Sequence, residues 1–259
     1  MSRRGKKGIL AFILLVLGII IIGVSGYKLI SQQLDYRRSN DLYENLNDKY
    51  VSSEIDSGDT EVKQEKPAWV KEFKIDLAGL QKENPDCIGW LYQENSDQIS
   101  YPIMYSGDDS YYLHTTPDKK YALAGSIFVE GENNPDFSDS HTIIYGHNMR
   151  NLSMFGSLKF YHDKGYYEEH PYFQIRTGEK AMRYRVFAYG IVPESSFVYV
   201  VPYEPGEEFA AFIQKLYDAS EEDTGVEVRD TDKIITFSTC STTGNRTVIH
   251  AVLEDTYVY

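Results

Sequence analysis

Cysteine is almost missing: Cys87 and Cys240 are the only two in 259 residues. A chain so poor in thiols builds at most one disulfide and no C-x-x-C metal or redox motif. Other signatures are absent as well. No G-x-G-x-x-G or Walker loop is present to cradle phosphates, no H-E-x-x-H to hold a catalytic zinc, and no G-x-S-x-G to present a serine nucleophile. No long internal repeat points to a solenoid. Positive charge is scarce, with 26 Lys and Arg against 39 Asp and Glu, a net charge of -13 and a pI near 4.9. Such a surface repels phosphate, which argues against a nucleic-acid partner.

Charge of either sign is lacking from Gly8 to Gly26, nineteen residues that follow Arg3, Arg4, Lys6 and Lys7. At about 1.5 Å per residue a helix of this length crosses a hydrocarbon core of about 30 Å. The basic flank predicts a cytoplasmic tail at 1–7, a transmembrane anchor at 8–27 and everything beyond it outside the cell. A cleaved signal peptide is the alternative, although its apolar region usually runs only about 7–15 residues. Residues 28–66 are polar and mixed in charge, and read as an extracellular stalk with room for a short helix in 30–50, whose Ser52–Lys66 part is a spacer. The folded domain is expected at 67–259.

Within that domain, Trp69, Val70, Phe73, Leu77 and Leu80 recur at spacings of mostly three and four, which predicts an amphipathic helix ended by Asn84-Pro85-Asp86. Short β-like runs follow at 99–105, 123–129, 141–145, 172–176, 184–192 and 197–201, separated by turn residues; this is the pattern of a barrel or a sandwich. Phe209, Phe212, Ile213, Leu216 and Tyr217 mark a second helix, with Glu207 and Glu208 at its positive end.

The chemistry concentrates near the C-terminus. Ile234-Ile235-Thr236-Phe237-Ser238-Thr239-Cys240 reads as a strand ending on a thiol, and Arg246-Thr247-Val248-Ile249-His250-Ala251-Val252-Leu253 as its neighbour. A thiolate is a competent acyl-transfer nucleophile, and a fixed guanidinium stabilises charge on a carbonyl under attack. The nucleophile needs a proton partner, and His147, in the loop after Ile143-Ile144-Tyr145-Gly146, is the candidate. A lone cysteine is more often a small buried hydrophobe, the reading assigned to Cys87. A disulfide between Cys87 and Cys240 would abolish the chemistry. His250 reads as a hydrogen-bonded core histidine, and His114, His162 and His170 as surface or packing residues. No metal site is expected, and the acidic loops 106–109 and 132–139 read as solvated charge rather than a Ca²⁺ site.

These residues carry a resemblance. Thr236-Phe237-Ser238-Thr239-Cys240 is similar to the T-L-x-T-C signature of the class B sortases, membrane-anchored cysteine transpeptidases of Gram-positive bacteria, with Phe237 in place of the usual Leu. Tyr145-Gly146-His147-Asn148-Met149, running into Met154-Phe155-Gly156-Ser157-Leu158, resembles the segment carrying that family's histidine, and Arg246 its strand arginine. Asn84 through Leu91, Asp109 through His114 and Ala124 through Phe128 also resemble class B stretches, so the likeness covers roughly 67–259. The resemblance implies a closed β-barrel of about eight strands, with an N-terminal helix and an extra helix before the catalytic strand. It implies Cys240, His147 and Arg246 as catalytic residues and Thr239, Ser238, Asn148 and Tyr145 as substrate-binding ones, with no cofactor. The implied partners are surface proteins bearing an N-P-x-T-x-type sorting signal, and an amine from a peptidoglycan precursor or, less often, a pilin Lys. A hydrolytic cysteine peptidase and a non-catalytic binding module are the competing readings.

Overall fold

The computed structural model describes residues 3–52, 66–70, 74–240 and 244–259. In it the charge-free stretch belongs to one helix, α1 (Arg3–Tyr50). The first proline of the chain is Pro67, so nothing upstream interrupts the hydrogen-bond ladder. The most apolar window of α1 has mean hydropathy 2.4 and is wholly exposed, so this helix is long and apolar enough to cross a membrane. Its last turns behave differently. Ser39, Tyr43, Leu46 and Tyr50 are buried against the rest of the molecule. Asn47 Nδ2 donates to the Ser100 carbonyl at 3.0 Å, and Ser100 Oγ donates to Asn47 Oδ1 at 2.7 Å. The segment expected as stalk is thus helical to Tyr50 and docked over its final three turns. The remaining spacer, 53–65, lies outside the described residues.

The single amphipathic helix expected from Trp69 to Leu80 is instead broken into short pieces. A 3₁₀ turn, Ala68–Val70, is followed by β2 (Lys74–Ile75), which pairs with β1 (Val51–Ser52) directly after α1. Helix α2 (Leu77–Glu83) starts only at Asp76, whose carboxylate caps it by accepting from Gly79 N at 2.9 Å. Phe73 lies outside the described residues. The apolar spacing was real, since Trp69, Val70, Leu77 and Leu80 are all buried, but pairing with β1 claimed the backbone between them.

Eight further strands close a barrel: β3 (Cys87–Gln93), β4 (Ser100–Met104), β5 (Ile127–Val129), β6 (His141–His147), β7 (Tyr172–Arg176), β8 (Lys180–Pro193), β9 (Ile234–Cys240) and β10 (Asn245–Val258). The order around the wall is β3-β4-β5-β6-β9-β10-β8-β7, returning to β3. The β4–β5 and β6–β9 pairs are parallel and the other six antiparallel. Closure leaves no unpaired edge along the barrel. One core cluster contains Leu91, Ile103, Phe173, Tyr184, Phe237 and Ile249. A short helix, α3 (Tyr166–Glu169), precedes β7, and a second cluster forms where helix α4 (Glu207–Asp218) lays Phe209, Phe212, Ile213 and Leu216 against Phe187, Ile234 and Val248. Alternation along β9 therefore gives Phe237 to the first cluster and Ile234 to the second.

The run 197–201, expected as a strand, is a 3₁₀ turn at Phe197–Tyr199. Ser196 accepts from Val198 N, and buried Val198 joins the α4 cluster. The alternating apolar residues face a helix across a turn rather than a neighbouring strand, a distinction their spacing does not contain.

Candidate active site

Strand β9 lies between β6 and β10, and this order assembles the candidate residues. The parallel pairing of β6 with β9 runs from His141 opposite Ile234 to His147 opposite Cys240. Neighbouring strands stand about 4.8 Å apart, so the two backbone positions are adjacent although 93 residues separate them. On the other side, Val248 pairs with Ser238 and Ile249 with Phe237 in antiparallel register. The same register carried two residues further sets Arg246 across from Cys240. Arg246 Nη1 donates to the Thr239 carbonyl at 3.2 Å, and Thr247 N donates to Thr239 Oγ1 at 2.9 Å, so the strands remain together at that end. The side chain of Cys240 and the turn 241–243 lie outside the described residues.

His147 is held from both ends. Its backbone carbonyl accepts from Met149 N and Phe155 N, which folds residues 148–154 into a tight turn. Gly146 lets Phe155 pack there, because a Cβ at 146 would stand 2.7 Å from the Phe155 ring. The imidazole Nε2 lies 2.7 Å from the Leu113 carbonyl. A carbonyl only accepts, so Nε2 carries the proton and Nδ1 is left as the basic nitrogen. The ring also stacks on His114, with centroids 5.3 Å apart and planes inclined by 16°. Burial lowers the His147 pKa below the ordinary histidine value; the Leu113 carbonyl opposes this, while His114 and the Arg246 charge reinforce it. The imidazole is thereby kept neutral near pH 7.

Arg246 is half-buried, and its Nη2 also reaches Glu194 Oε2 at 3.4 Å. Of the four expected substrate-binding residues, Asn148 is exposed and Tyr145 partly so. Tyr145 donates to Glu130 Oε2 at 2.6 Å and stacks on Tyr199. Burial first, and then Asp109, push the Glu130 carboxyl up to about 7. Ser238 and Thr239 are fully buried. Ser238 Oγ pairs with Tyr199 OH at 2.9 Å, and the Thr239 hydroxyl takes the Thr247 amide. Both hydroxyls therefore hold the framework together and are not turned towards an open groove.

Beneath the site, Thr236 Oγ1 sits 2.8 Å from both His141 Nε2 and His250 Nδ1, linking β6, β9 and β10 through buried polar groups. His250 is thus a hydrogen-bonded core residue, and His141 packs on Phe212 of α4. Cys87 is a free, fully buried thiol, pushed up to about 12 by burial. The acidic loops satisfy their own backbones: Asp109 accepts from Gly131 N, and Asp139 from Asn133 and Asn134. Sequence reasoning missed the partners of His147, namely Leu113 and His114, because a carbonyl contact across 34 residues leaves no local pattern.

The closed barrel brings a cysteine, a histidine and an arginine to neighbouring strand ends, residue types able to carry out acyl transfer through a thiol. A sortase-domain family model matches residues 96–254. Sortase B of Listeria monocytogenes is 34% identical over 231 residues, 88% of each chain. Among solved structures, a B. anthracis sortase B superposes with a TM-score of 0.70 at 27% identity, covering 85% of this chain and 98% of that one. The solved Listeria monocytogenes sortase B gives 0.62 at 39% identity, over 68% and 99%. The chain belongs to the sortase family, and within it to the class B enzymes, which are cysteine transpeptidases.

Proposed function

We propose that Cys240 is the nucleophile of a membrane-anchored transpeptidase acting on an N-P-x-T-x-type sorting signal. The observation that carries this reading is the register of β6, β9 and β10, which brings positions 147, 240 and 246 to one end of the barrel. The Cys240 sulfur, as thiolate, attacks the carbonyl carbon of the signal's Thr, and the electron pair moves onto oxygen. Arg246, with two of its five N–H groups engaged by Thr239 and Glu194, offers the others to that oxygen. The C–N bond then breaks, and protonated His147 gives its Nδ1 proton to the departing amine. The thioester is resolved by an amine of a peptidoglycan precursor, which loses its proton to His147 as the thiolate leaves. Tyr145 and Asn148 flank the substrate; Ser238 and Thr239 shape its floor through the backbone.

Burial favours the neutral form of His147, and the reacting form proposed here is the thiolate–imidazolium pair. The helix α1 supplies the anchor, with its basic tail in the cytoplasm and the barrel outside. The test is transfer of an N-P-x-T-x peptide to a wall-derived amine, followed by mass spectrometry. Cys240→Ala and His147→Ala should each abolish the amide product while the fold persists. Normal turnover by Cys240→Ala would defeat the reading, and free acid alone, with amine in excess, would make the protein a peptidase.

A further inference from the structure

Tyr43 of α1 is enclosed where the helix meets the barrel, and it reaches each of the two supports of His147 through one intervening residue. Its hydroxyl donates to the Gly125 carbonyl at 2.5 Å. Gly125 has a left-handed φ of +53°, and a Cβ there would stand 2.2 Å from the Leu113 carbonyl oxygen and 2.6 Å from that of Tyr112. The two backbone segments are in close contact, so a displacement of one is felt by the other. Leu113 is the residue whose carbonyl takes the His147 imidazole. By a second route, the Tyr43 ring meets Tyr101 edge to face, with centroids 5.1 Å apart. Tyr101 OH accepts from Met154 N at 3.0 Å, and the next amide, Phe155 N, donates to the His147 carbonyl at 3.0 Å.

One aromatic side chain of the N-terminal helix therefore braces the loop that holds the ring and the turn that holds the backbone. Asn40 also meets that turn, its Oδ1 accepting from Asn151 Nδ2 at 3.1 Å, and Asn47 bonds Ser100 beside Tyr101, whereas Lys49 pairs with Glu83 on α2 and takes neither route. We propose that Tyr43 is a positioning residue for His147, so that the docked end of α1 is part of the active-site framework as well as a tether. This rests on His147 acting in the reaction as proposed above.

The test uses the full chain in phospholipid nanodiscs, with Tyr43→Phe compared against Lys49→Ala. The phenylalanine keeps the packing and removes the hydroxyl, with its bond to the Gly125 carbonyl and its contact with the Ser126 side chain. Two quantities are read: the kcat and KM of peptide-to-amine transfer, and the ¹⁵N–¹H resonance of His147 Nε2–H with its rate of exchange with solvent. Tyr43→Phe should lower kcat roughly fivefold, the rate equivalent of about one neutral hydrogen bond, with little change in KM. It should also shift the Nε2–H resonance and speed its exchange. Lys49→Ala should leave the resonance in place. Should Tyr43→Phe prove too unstable to assay, Tyr101→Phe, which removes the acceptor for Met154 N, should move the same resonance. An unmoved resonance in the Tyr43→Phe protein, or the same shift in Lys49→Ala, would overturn the proposal. The resonance reports the position of His147 whether or not it transfers protons, so retained turnover by His147→Ala would fail the catalytic reading alone.

Discussion

The rings of His114 and His147 stack 5.3 Å apart, nearly parallel, on the rim of the site. His114 lowers the His147 pKa by its own charge, and its ring helps to bury its neighbour. Replacing it with Ala removes both influences, and both changes act in the same direction: the His147 pKa rises. A larger fraction of His147 is then protonated at any given pH. The alkaline limb of the kcat/KM profile should move to higher pH in His114→Ala, and NMR titration of the His147 imidazole should show the same sign.

Gly125→Ala introduces a Cβ against the Leu113 carbonyl at a residue with positive φ. The backbone strain alone costs about 1–3 kcal/mol, and the carbonyl that orients His147 must also yield. A lowered denaturant midpoint is expected, together with a fall in kcat larger than the fraction unfolded accounts for. A variant with unchanged kcat would show that the Leu113 bond does not orient the imidazole.

Burial holds His141 at about 4 and His250 at about 3, against an ordinary value of 6.5. Between pH 6.5 and 4 the unfolded chain therefore binds more protons than the folded one. The stability these groups contribute is present above pH 6.5 and is lost as pH falls through the folded values. The melting temperature should decline steadily from pH 6.5 to pH 4. His250→Gln, which keeps a polar partner for Thr236 but does not titrate, should flatten part of that decline.

Glu130 has the opposite sign. Its carboxyl is raised from 4.5 to about 7, so the folded state is the better proton binder between those values. The stability gained from it is full below pH 4.5 and disappears as pH rises through 7. Glu130→Gln keeps an acceptor for Tyr145 OH without the charge. It should melt higher than the parent protein at pH 8 and no differently at pH 4, as followed by circular dichroism.

What was legible in the sequence was what short-range chemistry writes there. Nineteen charge-free residues suffice for a helix that can cross a membrane, and the spacing of Phe209, Phe212, Ile213 and Leu216 suffices for α4. The Thr236–Cys240 stretch, the His147 segment and Arg246 together pointed to the family, and the alternation of β9 follows from its residues. The pattern at 197–201 misled because apolar alternation fits a strand and a capped turn against a helix equally well.

Tertiary structure decided the rest. The sequence separates positions 147 and 240 by 93 residues, and only the parallel pairing of β6 with β9 puts them side by side. Only packing shows that residues 39–50 belong to the folded body, because Tyr43 and Asn47 find partners more than fifty residues away in Tyr101, Gly125 and Ser100. The tautomer of His147 is set by a carbonyl, a group every residue carries, so no side-chain pattern announces it. The amino acids specify which groups can react; closure of the barrel selects which of them meet, because that depends on register between strands distant in sequence.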